Sequence, residues 1–466
     1  MDVPDRMVAR QAPADHAVAG AGPASRPRQR SDELLYASGA FGFNVLFQTL
    51  SLWLVYFLAP PPDAGRPTVV PPALLGLLLG IGRVLDAVDD PAIGHWSDRT
   101  RTRWGRRLSF IVGGTPLLLI AFLLIWTPPA GAGLPWTALY AFIVLQAYSV
   151  GYTLVHQPYE AVLAEIARDP PDRVRISSWK VTFGIFGAGV GLVASGAVIG
   201  WVGFAGMAVI FGLLAATSIA ISALGVRHLP MVPAHERPLS LWDGLRLTAT
   251  NGQFLVFVCS EIMFYLGLNM LTQAIPYFVT VVIGRPEADV SLVTGLFFLV
   301  ALASLPGVSW LARRRSKAFV YRLAMAVLVV LLPGLFFLGM VPGVDPLLQS
   351  VAYIGLLGMP MAALLVLPNP IIADIVDYDE TRTGLRREGV YYGVEETLGK
   401  AGVALSAAIM GVVLQTFGYS AEQPLGIRLI GPIAGLGVLL GLLAFTLGYR
   451  LPDRVTAAVR AAPASA

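Results

Sequence analysis

Long apolar runs, each broken by a short polar stretch, recur along the whole chain. A helix needs roughly 20 apolar residues to cross the hydrocarbon of a bilayer. Twelve such runs can be placed, near 34–58, 73–94, 108–127, 136–163, 178–200, 201–225, 250–283, 289–311, 318–341, 347–372, 389–415 and 426–449. Only Gly200 and its neighbours punctuate the fifth and sixth. In lipid every backbone polar group must be satisfied internally, so the pattern predicts an all-α polytopic membrane protein. Residues 1–33 have no apolar signal-peptide core and read as a disordered N-terminal tail, with 450–466 as a C-terminal tail. The stretch 226–249, with Pro230, Pro233 and Pro238, reads as a linker between bundles 34–225 and 250–449.

The polar interruptions carry the orientation. Arg99, Arg101, Arg103, Arg106 and Arg107 fall between segments 2 and 3, and Arg168, Arg173 and Arg175 between 4 and 5. Arg227, Arg237 and Arg246 follow segment 6. Arg313, Arg314, Arg315 and Lys317 follow segment 8, and Arg382, Arg386 and Arg387 segment 10. The intervening loops 1–2, 3–4, 5–6 and 7–8 are nearly bare of basic residues. By the positive-inside rule the even loops and both termini face the cytoplasm. Segments 2 and 8 both run through a tryptophan, Trp96 or Trp310, into an arginine cluster. This echo suggests two parallel six-helix repeats.

Composition agrees. Hydrophobic residues make up 56% and charged residues 13%, against roughly 25% charged in a soluble domain. The net charge of +4 comes from basic loops and is no nucleic-acid footprint. The single cysteine, Cys259, permits no intrachain disulfide and reads as a small buried hydrophobe. No Walker loop and no hydrolytic triad stand out, so neither an enzyme nor a catalytic cofactor is expected, and an ion gradient is the expected energy source.

Ionisable residues inside a membrane are costly and normally pair or line a cavity. In GRVLDAVDDPAIG, Asp86 and Asp90 share one helical face, Arg83 and Asp89 lie beside them, and Pro91 suggests a bend. Two carboxylates held together favour a proton or cation between them. In GYTLVHQPYEAVLAEI, His156, Tyr159 and Glu160 fall within about one turn; His156 could relay a proton, orient a substrate, or simply pair with Glu160. Lys400 lies mid-segment, with the aspartates of segment 2 or Glu396 as partners. Asn44 and Gln48, and the stripe Glu261, Tyr265, Asn269 and Gln273, could face a polar cavity. Trp53 and Tyr56 could stack on a ring or sit in an interfacial belt.

The stretches LDAVDDPAIGHWSDRTRTRWGRR and ADIVDYDETRTGLRREGVYYG resemble signatures of the glycoside–pentoside–hexuronide:cation symporter family, the melibiose-carrier-like branch of the major facilitator superfamily. The resemblance covers about 34–449 and implies two six-helix bundles around a central cavity, importing a sugar-like solute with a proton, sodium or lithium. It implies cation-coupling roles for Asp86, Asp90 and Lys400, with sodium a possible ligand of the two aspartates. It implies an inner gate from Arg99 and Arg103 with Asp374, Asp377 and Glu380, to which Arg83 and Asp89 are added here, Asp89 reading equally as a gating salt bridge or a cation ligand. Two departures matter: Asn44 and His156 stand where sugar-carrying members present aspartates. They favour a proton over sodium and put a galactoside in doubt. The expected function is therefore cation-coupled symport of a sugar, glycoside or similar small solute across the inner membrane by a monomer. The alternative is a facilitator, exporter or amphipathic-lipid carrier on the same fold.

Overall fold

The computed structural model describes residues 30–451 apart from 101, 103–105, 130, 132, 168, 229–245, 247 and 385–386. Helices dominate: α1 Arg30–Leu58, α2 Pro72–Arg99, α3 Arg106–Ile125, α4 Leu134–Ile166, α5 Pro170–Gly189 and α6 Ser195–His228. The second group is α7 Gly252–Tyr277, α8 Val290–Arg314, α9 Lys317–Gly334, α10 Pro346–Val366, α11 Pro368–Thr383, α12 Glu388–Phe417 and α13 Leu425–Gly448. Most of the linker expected at 226–249 lies outside the described residues, although α6 already reaches His228.

Ten stretches of the described residues are long and apolar enough to cross a membrane. Two features separate that number from the expected twelve. One stretch, Pro171–Arg227, is 57 residues long, or about 85 Å at 1.5 Å per residue, far more than one crossing. A π-helical turn at Val190–Ala194 joins α5 to α6, and within α6 Gly203 turns the chain at φ 72°, ψ 178°. Only glycine adopts that conformation without strain, so the divide falls three residues beyond Gly200. The other feature is α2, 28 residues long, whose charges remove it from a purely apolar count.

Segment 10 is longer than expected. The chain bends at Leu367 and continues as α11 to Thr383. Pro368 and Pro370 fall in the first turn of α11, where a missing N–H costs nothing, and Gly384 closes it in the left-handed conformation. Asp374, Asp377, Glu380 and Arg382 are therefore helical. Likewise α2 runs on through Pro91 to Arg99 as one helix.

Glycine and alanine let helix backbones meet. The Gly187 Cα lies against the Phe41 carbonyl, tying α5 to α1. Gly411 lies against the Pro72 carbonyl and Gly76 against that of Ala407, which forms a seam between α2 and α12. The lipid-facing exterior carries exposed Trp136, Trp201, Val330 and Leu447. Cys259 is exposed as well, which corrects its reading as a buried hydrophobe; lipid accommodates an apolar thiol as readily as a core does.

Candidate functional site: a charged cavity between the bundles

α1, α2, α4, α7 and α12 enclose a cavity of about 390 Å³, within the range typical of small-molecule sites. One part is apolar, with Phe47, Leu50, Leu54, Leu78, Val403 and Ala407; the other is charged.

The charged part is built on a matched spacing. Asp86 and Asp90 of α2, four residues apart, face Ser149 and Thr153 of α4, also four apart. The Ser149 hydroxyl donates to Asp86 Oδ1 at 2.6 Å and the Thr153 hydroxyl to Asp90 Oδ1 at 2.7 Å. Arg83 Nη1 donates to Asp86 Oδ2 at 2.9 Å. Lys400, from the other bundle, donates to Asp90 Oδ2 at 2.5 Å. Each carboxylate is thus held by one hydroxyl and one cation, and Asp86 is only 4% exposed. Lys400 takes the cross-bundle partner rather than Glu396. Arg83 lines the cavity bonded to Asp86. Asp89 keeps a buried Oδ1 without a hydrogen-bond partner and makes no ion pair among the described residues.

Other expected cavity residues divide. His156 lines the cavity, stacked on Tyr152 at 4.9 Å, with Nε2 3.5 Å from Glu160 Oε1. Asn269 and Gln273 also line it; Gln273 donates to Ser406 Oγ at 3.3 Å, and its own Oε1 is buried without a partner. Tyr159 does not line it: it is 1% exposed, its ring tilted against that of Tyr36, with its hydroxyl donating to the Ala37 carbonyl. Glu160 points away too, to Lys180 at 2.6 Å. Asn44 and Gln48 lie on the face of α1 that packs against Gly184 and Gly191. The Asn44 amide donates to its own Ala40 carbonyl, so the cavity wall of α1 is the neighbouring face with Phe47 and Ser51.

At the ends of the cavity the sequence was less informative. Trp53 and Tyr56 are 0% and 1% exposed and belong to neither a belt nor a stacking platform. Trp53 donates to Ser195 Oγ at 2.8 Å, and the Tyr56 hydroxyl to Glu287 Oε1 at 3.2 Å. Arg66 lies over Phe204 at 4.5 Å and bonds Glu287 at 3.4 Å, and the Tyr277 hydroxyl donates to the Ala59 carbonyl at 2.6 Å. These contacts latch the bundles at the end where α1 terminates. At the opposite end, Arg103 lies outside the described residues and Arg99 is exposed. Asp374 is held by Lys317 at 2.6 Å, with Asp377 and Glu380 on the same helix. Arg107, expected in a loop, is buried in α3 and bonds Glu165 and Ser97.

No group of three or more His, Cys, Asp or Glu among the described residues is placed to hold a metal ion. A sodium ion needs several oxygens. Asp86, Asp90, Ser149 and Thr153 supply them, but Arg83 and Lys400 occupy two of the carboxylate oxygens.

Comparison with known proteins fits this architecture. The isoprimeverose transporter of Lactiplantibacillus pentosus is 24% identical over 405 residues, covering 84% of this chain and 81% of that one. The sodium-dependent lysophosphatidylcholine symporter 1 of Xenopus tropicalis is 24% identical over 481 residues, covering 89% and 86%. Among solved structures, a bacterial homologue of the human lysosomal transporter Spinster, inward-facing and unoccupied, superposes with a TM-score of 0.65 at 14% identity, over 95% of this chain and all of that one; that likeness concerns the fold. The family model described as MFS/sugar transport protein matches residues 35–454, so the chain belongs to the sugar-transport branch of the major facilitator superfamily, in the glycoside–pentoside–hexuronide:cation symporter group.

Proposed function

We propose that the protein crosses the inner membrane twelve times, with both termini in the cytoplasm, and imports a sugar, glycoside or similar small solute together with a cation. The observation that carries this reading is the Lys400–Asp90 ion pair, which joins the two bundles inside the cavity. A proton or sodium arriving at Asp90 competes with Lys400 for the same carboxylate oxygen. Winning that competition releases the one cavity charge pair that spans both bundles among the described residues. The freed ammonium is then a donor for solute hydroxyls, alongside His156, Asn269 and Gln273. Coupling follows, because cation and solute each favour the arrangement in which the pair is broken.

A proton is the favoured cation. It needs no coordination shell, and the carboxylates already carry two basic partners. Asn44 and His156, at positions where an aspartate would add an anion, point the same way. Both halves of the cavity come from one chain, so a monomer suffices, and no cofactor is required.

The test is uptake by the purified protein in liposomes of sugars, glycosides, hexuronates and lysolipids, under separate proton and sodium gradients, with Asp90→Asn as control. Proton-driven uptake of a sugar-like solute, lost in D90N, supports the reading. Uptake driven by sodium and indifferent to pH would overturn the proton assignment. Lysolipid movement unaffected by either gradient or by D90N would replace symport with a lipid carrier.

A further inference from the structure

A second group of buried acids lies in the C-terminal bundle, apart from Asp86 and Asp90. Glu261 of α7 is 1% exposed, and its Oε1 has no hydrogen-bond partner. Gly402 of α12 lies against the Ile262 carbonyl and Gly399 against the Tyr265 ring, so Glu395, one turn before Gly399, stands where α12 meets the turn of α7 that carries Glu261, one turn before Tyr265. Two carboxyl groups can bond to each other only if a proton sits on one of them. Around them stand Tyr265 of α7, Tyr321 of α9, and Tyr392 and Glu396 of α12. The Tyr321 hydroxyl is fully buried and also without a partner. Among the described residues no lysine, arginine or histidine pairs with either glutamate. Lys400, one turn beyond Glu396, is engaged by Asp90. Glu395 lines the cavity, whereas Glu261 does not.

We propose that Glu261 and Glu395 form a second proton-binding site, in which one proton is shared between the two carboxyl groups and exchanges with the cavity through Glu395. The argument is electrostatic. A buried pair of like charges with no counter-cation is unfavourable in a low-dielectric interior, whereas one shared proton removes the mutual repulsion and gives the remaining charge a hydrogen bond. The ordering of burial supplies the route: Glu395 lines the cavity, and Glu261, 1% exposed, lies behind it. This inference goes beyond the symport reading and does not depend on it, because proton occupancy is measurable without transport.

Infrared spectroscopy of the reconstituted protein tests it, through the carbonyl stretch of a protonated carboxylic acid. At neutral pH the wild type is expected to show such a band, lost on titration to alkaline pH with release of one proton per chain. Glu261→Gln and Glu395→Gln should each abolish that component, while Glu287→Gln, at the far end of the cavity, retains it. If E261Q fails to fold, E395Q carries the same test, because its side chain meets the cavity. A wild type with no band sensitive to either substitution would overturn the proposal. So would a band that sodium removes at constant neutral pH in the wild type, since the pair would then be a sodium site.

Discussion

Replacing Lys400 by alanine should tighten cation binding rather than weaken it. In the resting site the Lys400 ammonium is 2.5 Å from Asp90 Oδ2, so an incoming cation has to displace it. At an effective dielectric of 20, two unit charges 4 Å apart attract by about 4 kcal/mol. Both partners are partly wetted, Lys400 34% and Asp90 14% exposed, so rehydration returns part of that energy. A net value of about 1.5–3 kcal/mol, that of a hydrogen bond between charged groups, remains. Removing the competitor should therefore raise the apparent cation affinity about ten- to a hundredfold. Thermal stabilisation of the purified protein across sodium, lithium and pH series reads this affinity directly, because a ligand that binds only the folded state stabilises it by mass action. Concentrative uptake should be lost in the same variant, because cation binding no longer breaks a cross-bundle contact. In a D90N background the lysine substitution should have almost no further effect, since the two residues act through one interaction. Unchanged or weaker cation affinity in K400A would refute the competition.

Two further outcomes follow from other contacts. Ser149→Ala removes the hydroxyl that donates to the buried Asp86 at 2.6 Å and should lower stability by about 1.5–3 kcal/mol; a melting temperature equal to wild type would show that the bond contributes nothing. Glu287→Gln loosens the latch with Arg66, a partly exposed pair worth at most about 1 kcal/mol. It should raise labelling of Ser51→Cys in a Cys259→Ser background by an impermeant maleimide up to about fivefold, and equal labelling would count against a latch at that end.

Much of this was legible in the residues. The partners of Lys400 could be narrowed to the aspartates of segment 2 or Glu396 because an intramembrane charge must find a partner, and few candidates existed. Helix limits were readable for the same reason: the hydrocarbon imposes a length. The rotational setting of α1 was not. Core and lipid are both apolar, so a transmembrane helix carries little contrast between its faces. The pattern therefore does not tell that Phe47 and Ser51, not Asn44 and Gln48, face the cavity, nor that Trp53 and Tyr56, open to either ring stacking or an interfacial belt, are buried. Ser149 and Thr153 escaped notice because hydroxyls in helices commonly bond their own preceding carbonyl, as Thr49 and Thr115 do here. Their one signal was spacing, a four-residue interval that repeats the interval of Asp86 and Asp90. The latch through Arg66 and Glu287 joins residues 221 positions apart, a separation that local pattern does not reach.

The seam at Gly76 and Gly411 separates what this chain can change from what it cannot. There α2 and α12 meet through main chain, with no side chain at either glycine to reset its rotamer. A surface of that kind moves without a rotamer penalty and is blind to which amino acids decorate the cavity one or two turns away. Phe47, Leu54 and Val403 can be exchanged to suit a different cargo while the bearing stays as it is. A single methyl group at Gly411, by contrast, would strike the Pro72 carbonyl and stop the machine for every cargo alike.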